Sequence, residues 1–169
     1  MPYTTWNGPA PTTAALASVT TGTAIKTMLQ LATPATRMIQ VLEWGYSLES
    51  PPGADGVIEL LQTDVAATVT AHVASGVINL DPNGTASLLA LGTSATGYTA
   101  SAEGTIAATR PLDAVSLSST TGESPLVYTR TFMPDDRPII PISKFLRVRA
   151  TTPTAATNMR CFITFTEVG

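Results

Sequence analysis

The chain has 169 residues, 44% of them hydrophobic and only 12% charged, with a net charge of −3. That is one domain's length, enough to bury a core without a disulfide or a metal. The acidic balance speaks against nucleic-acid binding, which draws on a cationic surface, and no apolar run is long enough to cross a bilayer as a helix.

Residues 1 to 23, rich in Thr, Ala and Pro, read as an extended N-terminal arm, followed by one domain over 24–169. Their opening, MPYTTWNGPAPTT, has neither the basic nor the apolar part of a signal peptide, so cytoplasmic synthesis is expected. Tyr3 and Trp6 are unusual in a free tail: they either pack locally on their own domain or anchor the arm on a neighbouring subunit, as interface aromatics do. Ile25 to Leu31 reads as a first strand. Arg37 to Glu49 reads as a long one, with apolar residues on both faces, as expected between two layers. Pro51-Pro52-Gly53 and Asp55-Gly56 then predict a turn, and Val57 to Thr63 the returning strand of a hairpin.

Residues 64 to 104 break the strand rhythm. Asp64 as N-cap, with Val65, Val69, His72 and Val73 at helical spacing, predicts a short helix stopped by Gly76. A second helical turn is expected at Ser87 to Leu91, so the whole stretch reads as a helical or loop excursion over the end of the fold. Strands resume at Thr105 to Thr109, Ala114 to Ser118 and Leu126 to Phe132. Arg137-Pro138-Ile139-Ile140-Pro141-Ile142 reads as an edge or linker, because proline cannot donate to a ladder. Lys144 to Ala150 and Asn158 to Val168 alternate and predict a closing hairpin turned at Thr151-Thr152-Pro153. About eight short strands separated by turn signals predict an all-β antiparallel sandwich, jelly-roll-like.

The chain is poor in reactive constellations. One His and one Cys, His72 and Cys161, cannot assemble a metal site, and Cys161 sits mid-strand as a small core hydrophobe. Asp135 and Asp136 are explained by a turn. Glu43 and Glu59 fall on neighbouring expected strands and suit a solvated face or an Arg partner. Asn83-Gly84-Thr85 matches a glycosylation sequon but reads as a turn. No phosphate-binding or nucleophile motif is present. The expectation is therefore no catalysis, no cofactor and no metal. If the closing hairpin brings Arg147 and Arg149 beside Arg160, they form either a solvated face or a ridge that docks on an acidic partner through bidentate hydrogen bonds.

The run TAIKTMLQLATPATRMIQVLEWGYSLE, the strand VIELLQT and the closing SKFLRVRATTPTAATNMRCFITFTE resemble small structural proteins of tailed bacteriophages, in particular the decoration or cement proteins of the head. The likeness spans about residues 23 to 168. It implies a β-sandwich on the capsid surface, bound to the major capsid protein as a homo-oligomer, typically a trimer, and clamping the lattice with no active site, nucleic acid or membrane. Within it, Tyr3, Trp6, Arg147, Arg149 and Arg160 become candidate partner contacts. The alternatives are a tail or baseplate component of the same virion, a carbohydrate-binding adhesion module, and, least favoured, an enzyme on the same scaffold.

Overall fold

The structure, a computed structural model, describes residues 1–123, 125–152 and 156–169. Two antiparallel sheets pack face to face as a β-sandwich. The front sheet holds β1 (Pro2–Trp6), β2 (Val19–Thr20), β4 (Met38–Leu48), β7 (Val77–Asn79), β10 (Val127–Thr131), β11 (Ile139–Ile140) and β13 (Asn158–Val168). Its order is β10-β4-β13-β1-β7, with β11 beside β4 and β2 beside β13. The back sheet holds β3 (Ile25–Ala32), β5 (Gly56–Thr63), β6 (Thr68–Ala71), β8 (Gly97–Ala102), β9 (Thr109–Leu117) and β12 (Phe145–Thr151), in the order β6-β8-β3-β12-β5-β9. Between them lie Met28, Leu29, Leu31, Trp44, Leu146, Ile163 and Phe165, all fully buried. Each large side chain so buried stabilises the fold by roughly 1.5–3 kcal/mol.

Both expected hairpins are absent. β4 and β5 lie in different sheets, and so do β12 and β13. Each of these four strands is flanked on both sides by strands distant in sequence, so the turn after Leu48 is a corner that carries the chain from one layer to the other, and β12 and β13 come to lie in opposite layers. Of the expected Thr151-Thr152-Pro153 turn, Pro153 lies outside the described residues.

The two apolar faces of β4 have a local cause. Glu43 pairs Thr164 and Val41 pairs Phe165, which leaves Leu42 as an extra residue. This bulge moves the core face from Ile39 and Val41 to Trp44, Tyr46 and Leu48.

Residues 1 to 23 are not a free arm. β1 is an inner strand between β13 and β7, because Tyr3 and Thr5 can point into the core there. Asn7 extends the ladder with its side chain, donating to the Met159 carbonyl at 3.0 Å and accepting from the Cys161 amide at 2.9 Å. Only residues 8–18 leave the sheet, before β2 rejoins it.

The excursion at 64–104 is built of β6, β7 and β8 and a 3₁₀ turn at Ala74–Gly76, not of α-helix. Asp64 caps no helix; its carboxylate accepts from the Ala107 and Ala108 amides. Pro111 lies inside β9, which tolerates it as an edge strand.

Candidate interaction surface

The two outer sheet faces differ in what covers them. On the back sheet, residues 64–67 and 103 lie over the outward side chains of β3 and β12. Gln30 is fully buried there, accepting from the Ala67 amide at 2.8 Å and donating to the Ala95 carbonyl at 2.6 Å. Arg147 is also fully buried. Its guanidinium meets the Glu103 carboxylate at 3.0 Å and the Val65 carbonyl, and the same carboxylate accepts from the Thr27 hydroxyl at 2.6 Å. Burial pulls the Arg147 pKa down while the Glu103 charge pulls it up.

The front sheet's outer face is bare by comparison. Register places Thr129, Gly45, Phe162 and Trp6 in one row and Thr131, Glu43, Thr164, Thr4 and Ile78 in the next. The Trp6 and Phe162 rings meet at 4.9 Å between centroids. Phe162 lies over Gly45, where a Cβ would sit 2.8 Å from its ring and 2.6 Å from the Tyr128 carbonyl oxygen. Glu43 is the charged side chain of these two rows, and Arg160 stands beside them in the row of Val127 and Ser47. Glu43 accepts from the Thr131 hydroxyl at 3.2 Å, while Arg160 donates to the Leu16 carbonyl at 2.8 Å and stands 3.8 Å from Glu49.

At the β1–β7 end of this face an apolar groove of about 280 Å³ is lined by Trp6, Pro9, Pro11, Leu16, Gly76 and Ile78. His72 holds its floor from beneath. Nε2 lies 2.7 Å from the Trp6 carbonyl, the Tyr98 ring meets the imidazole at 4.8 Å between centroids with the planes tilted by 60°, and a Cβ on Gly76 would strike Nδ1 at 2.3 Å. The Trp6 carbonyl therefore takes the Nε2 proton, and burial lowers the His72 pKa below its ordinary 6.5. A second cavity, of about 460 Å³, opens by Met1, Tyr3, Arg37, Thr85, Leu88 and Glu167. Its Glu167 accepts from the Ser87 hydroxyl and the Leu88 amide, at 2.6 and 2.7 Å.

The five candidate contacts thus scatter. Tyr3 is buried against Phe165 at 5.6 Å, with its hydroxyl donating to the Thr85 carbonyl at 3.1 Å. Trp6 is half-buried on the front face. Arg147 lies under the back-face cover, and Arg149 pairs with Glu59 at 2.7 Å on the same sheet. Arg160 sits alone of the three on the front sheet. No ridge of the three arginines forms, because β12 and β13 belong to opposite layers. Phe162, between the buried Cys161 and Ile163, faces outward, and the β1–β13 register sets it against Trp6, a pairing that no local sequence signal announces.

Cys161 is fully buried, and burial pushes its thiol up, which disfavours the reactive thiolate. Glu43 and Glu59 sit in different sheets. Among the described residues, no group of three or more His, Cys, Asp or Glu could hold a metal ion. No protein-family model, curated protein or solved structure matches the chain.

Proposed function

We propose that this protein is a non-catalytic structural component of a virion, of the capsid-decoration kind, which docks the outer face of its front sheet on the major capsid protein. The observation that carries this reading is that face itself. It is made of Thr, Ser and Gly around the Trp6–Phe162 pair, and both of its charged side chains already have partners within the chain. Interface cores are depleted in charge and anchored by aromatics. The phrasing of the sequence supports the phage assignment, and the low overall charge suits a surface that spends its life covered.

Co-sedimentation with empty heads assembled from the phage's own capsid protein tests it. Saturable pelleting is expected, weakened at least tenfold by Thr164→Lys at the centre of the face. Failure of the unaltered protein to pellet overturns the head assignment and moves the protein to the tail. The half-buried ring pair also suits stacking on a sugar, and a glycan array that lights up only with intact Trp6 would replace the capsid by a saccharide.

A further inference from the structure

A sheet ends in a strand whose backbone is unpaired on one side, and such an edge pairs with an extended chain unless something blocks it. Four strands end the two sheets, β10 and β7 in front and β9 and β6 behind. Three of them are blocked. β7 has residues 85–89 beside it: the Asn79 side chain donates to the Thr85 carbonyl at 2.8 Å, and Ala86 and Leu89 share a small cavity with Val77. In β6 the Val69 amide donates to the Thr93 carbonyl at 2.8 Å. β9 carries Pro111, which has no amide hydrogen, and a register slip against β5 that leaves Leu112 as an extra residue.

β10 has none of these devices. It follows β4 from Val127 to Thr131 without a slip, and Val, Tyr and Thr make up most of it, all of them residues that favour strands. The Leu48 amide donates to the Leu126 carbonyl at 2.7 Å and the Phe132 amide to the Leu42 carbonyl at 2.9 Å, which turns the even-numbered residues of β10 toward β4. The amides and carbonyls of Val127, Thr129 and Thr131 therefore point away from the sheet, repeating about every 6.8 Å. Among the described residues, no group hydrogen-bonds to them. Val127 is 73% exposed, the most of any large apolar side chain described, so nothing of this chain covers the strand there. The charged side chain of β10, Arg130, is tied to the back sheet, 3.0 Å from Asp113, with its guanidinium 4.8 Å from the centroid of the Phe132 ring. The side chains of Val127, Thr129 and Thr131 stand in the rows of Ser47, Gly45 and Glu43 and so continue the front sheet's outer face. Across a strand pair, such residues favour β-branched, uncharged neighbours.

We infer that the β10 edge is a strand-addition site, which receives an extended, uncharged segment of the partner that covers the front face. Main-chain hydrogen bonds supply the affinity and alternate side chains the selectivity. The added strand widens the outer face by one strand spacing, about 4.8 Å, so a single partner reaches both. The inference rests on the docking reading for the owner of the strand, but not for the open edge.

Amide exchange followed by NMR tests the edge, with the acetylated and amidated peptide KTVTVTK as the probe. In the free protein the Val127, Thr129 and Thr131 amides are expected to exchange fast, and those of Tyr128 and Arg130 slowly. Peptide at about 1 mM is expected to slow the first three about tenfold, the protection given by a dissociation constant of about 0.1 mM. The same peptide N-methylated throughout should do nothing. Thr129→Pro removes the central outward donor where an edge strand accepts proline, so the thermal transition should stay and the protection vanish. On empty heads the same variant is expected to weaken pelleting about tenfold. Thr164→Lys separates the two readings, since it weakens pelleting through the face and leaves the peptide's protection whole. Peptide protection without any pelleting of the unaltered protein keeps the edge and sinks the docking reading. Outward amides that are slow in the dilute free protein, or unmoved by the peptide, overturn the inference, as does undiminished pelleting of Thr129→Pro. Protection that appears only on concentrating the protein puts a second copy on the edge and overturns it too.

Discussion

The front and back sheets solve the same problem in opposite ways. Both are central layers with an inward apolar face, and both need something on the outward face. The back sheet uses its own chain: residues 64–67 and 103 cover Gln30 and Arg147, whose side chains bond to groups of Ala67, Ala95, Val65 and Glu103, the Arg147 Nε alone of its guanidinium nitrogens having no partner. The front sheet leaves a half-buried ring pair and a field of threonines facing outward. The comparison teaches that a buried arginine can be a purely internal device. The residue singled out in the sequence as a docking charge is the least accessible of the nine basic side chains, while the surface with almost no charge is the one left uncovered.

Cutting the back-face network should therefore have the largest effect on stability. Glu103→Ala leaves the Arg147 guanidinium buried with only neutral partners, a change that typically costs about 3–5 kcal/mol. At roughly 2–4 °C per kcal/mol for a chain of this size, the melting temperature falls by about 10 °C. Thr129→Lys on the front face is the matched control and should move stability by less than about 0.5 kcal/mol. Urea denaturation of the two variants side by side checks the contrast; equal losses would show that the front face is as structurally committed as the back.

A pH titration probes the groove floor beneath Trp6. His72 is buried neutral beneath Trp6, and its folded pKa lies below the unfolded 6.5. The unfolded chain thus takes up a proton first as pH falls, so stability is flat above about pH 7.5 and declines through 6.5 toward the folded value. The slope cannot exceed about 1.4 kcal/mol per pH unit. Asp64, Asp55 and Glu49 have pKa values held below the carboxylate range by hydrogen bonds, and their losses come only in more acid solution. Between pH 7.5 and 5, His72→Gln should abolish the decline in the urea midpoint; a decline that survives the substitution assigns it to another group.

The alternation of β3, β4, β5, β12 and β13 was readable because each has one face in the core, which imposes period two. Their partners were not. Gly and Pro clusters mark a chain reversal equally well whether it closes a hairpin or turns a corner between layers, so Pro51-Pro52-Gly53 could not tell the two apart. β1 was hidden because its outward residues are Thr and Trp, and its inward Tyr3 and Thr5 find their place only once β13, some 160 positions later, is beside them. The Ala- and Val-rich stretch after Asp64 has helical spacing by coincidence; cross-strand pairing with β8 outweighs so weak a local preference. Of the candidate site, Trp6 was legible as an odd aromatic in a polar segment. The fates of Arg147, Arg149 and Arg160 were not, because each depends on a carboxylate, at 103, 59 or 49, brought in by topology.

The smallest effect concerns how the back-face cover is delivered. β6 and β8 slip register between Thr68 and Thr70, opposite a stretch of β8 that runs from Tyr98 to Ala102. Thr99 takes up the excess with φ at +55°, a left-handed conformation that costs a β-branched residue about 1–2 kcal/mol. Its buried hydroxyl has no hydrogen-bond partner. The displaced strand then delivers Glu103 to Arg147 and Thr27, interactions that outweigh the strain. Thr99→Gly removes both the strain and the orphaned hydroxyl, offset by the roughly 0.5–1 kcal/mol that glycine's flexibility costs in the unfolded chain. A net gain of about 0.5 kcal/mol is expected, read as a slightly higher urea midpoint at unchanged slope. Repeating the substitution in the Glu103→Ala background separates strain from delivery. If the bulge is held only by Glu103, the gain should vanish there, because β8 can already relax once its anchor is gone. An undiminished gain would mean that the register slip is set by β6 and β8 themselves, and that the cover formed around a bulge already present.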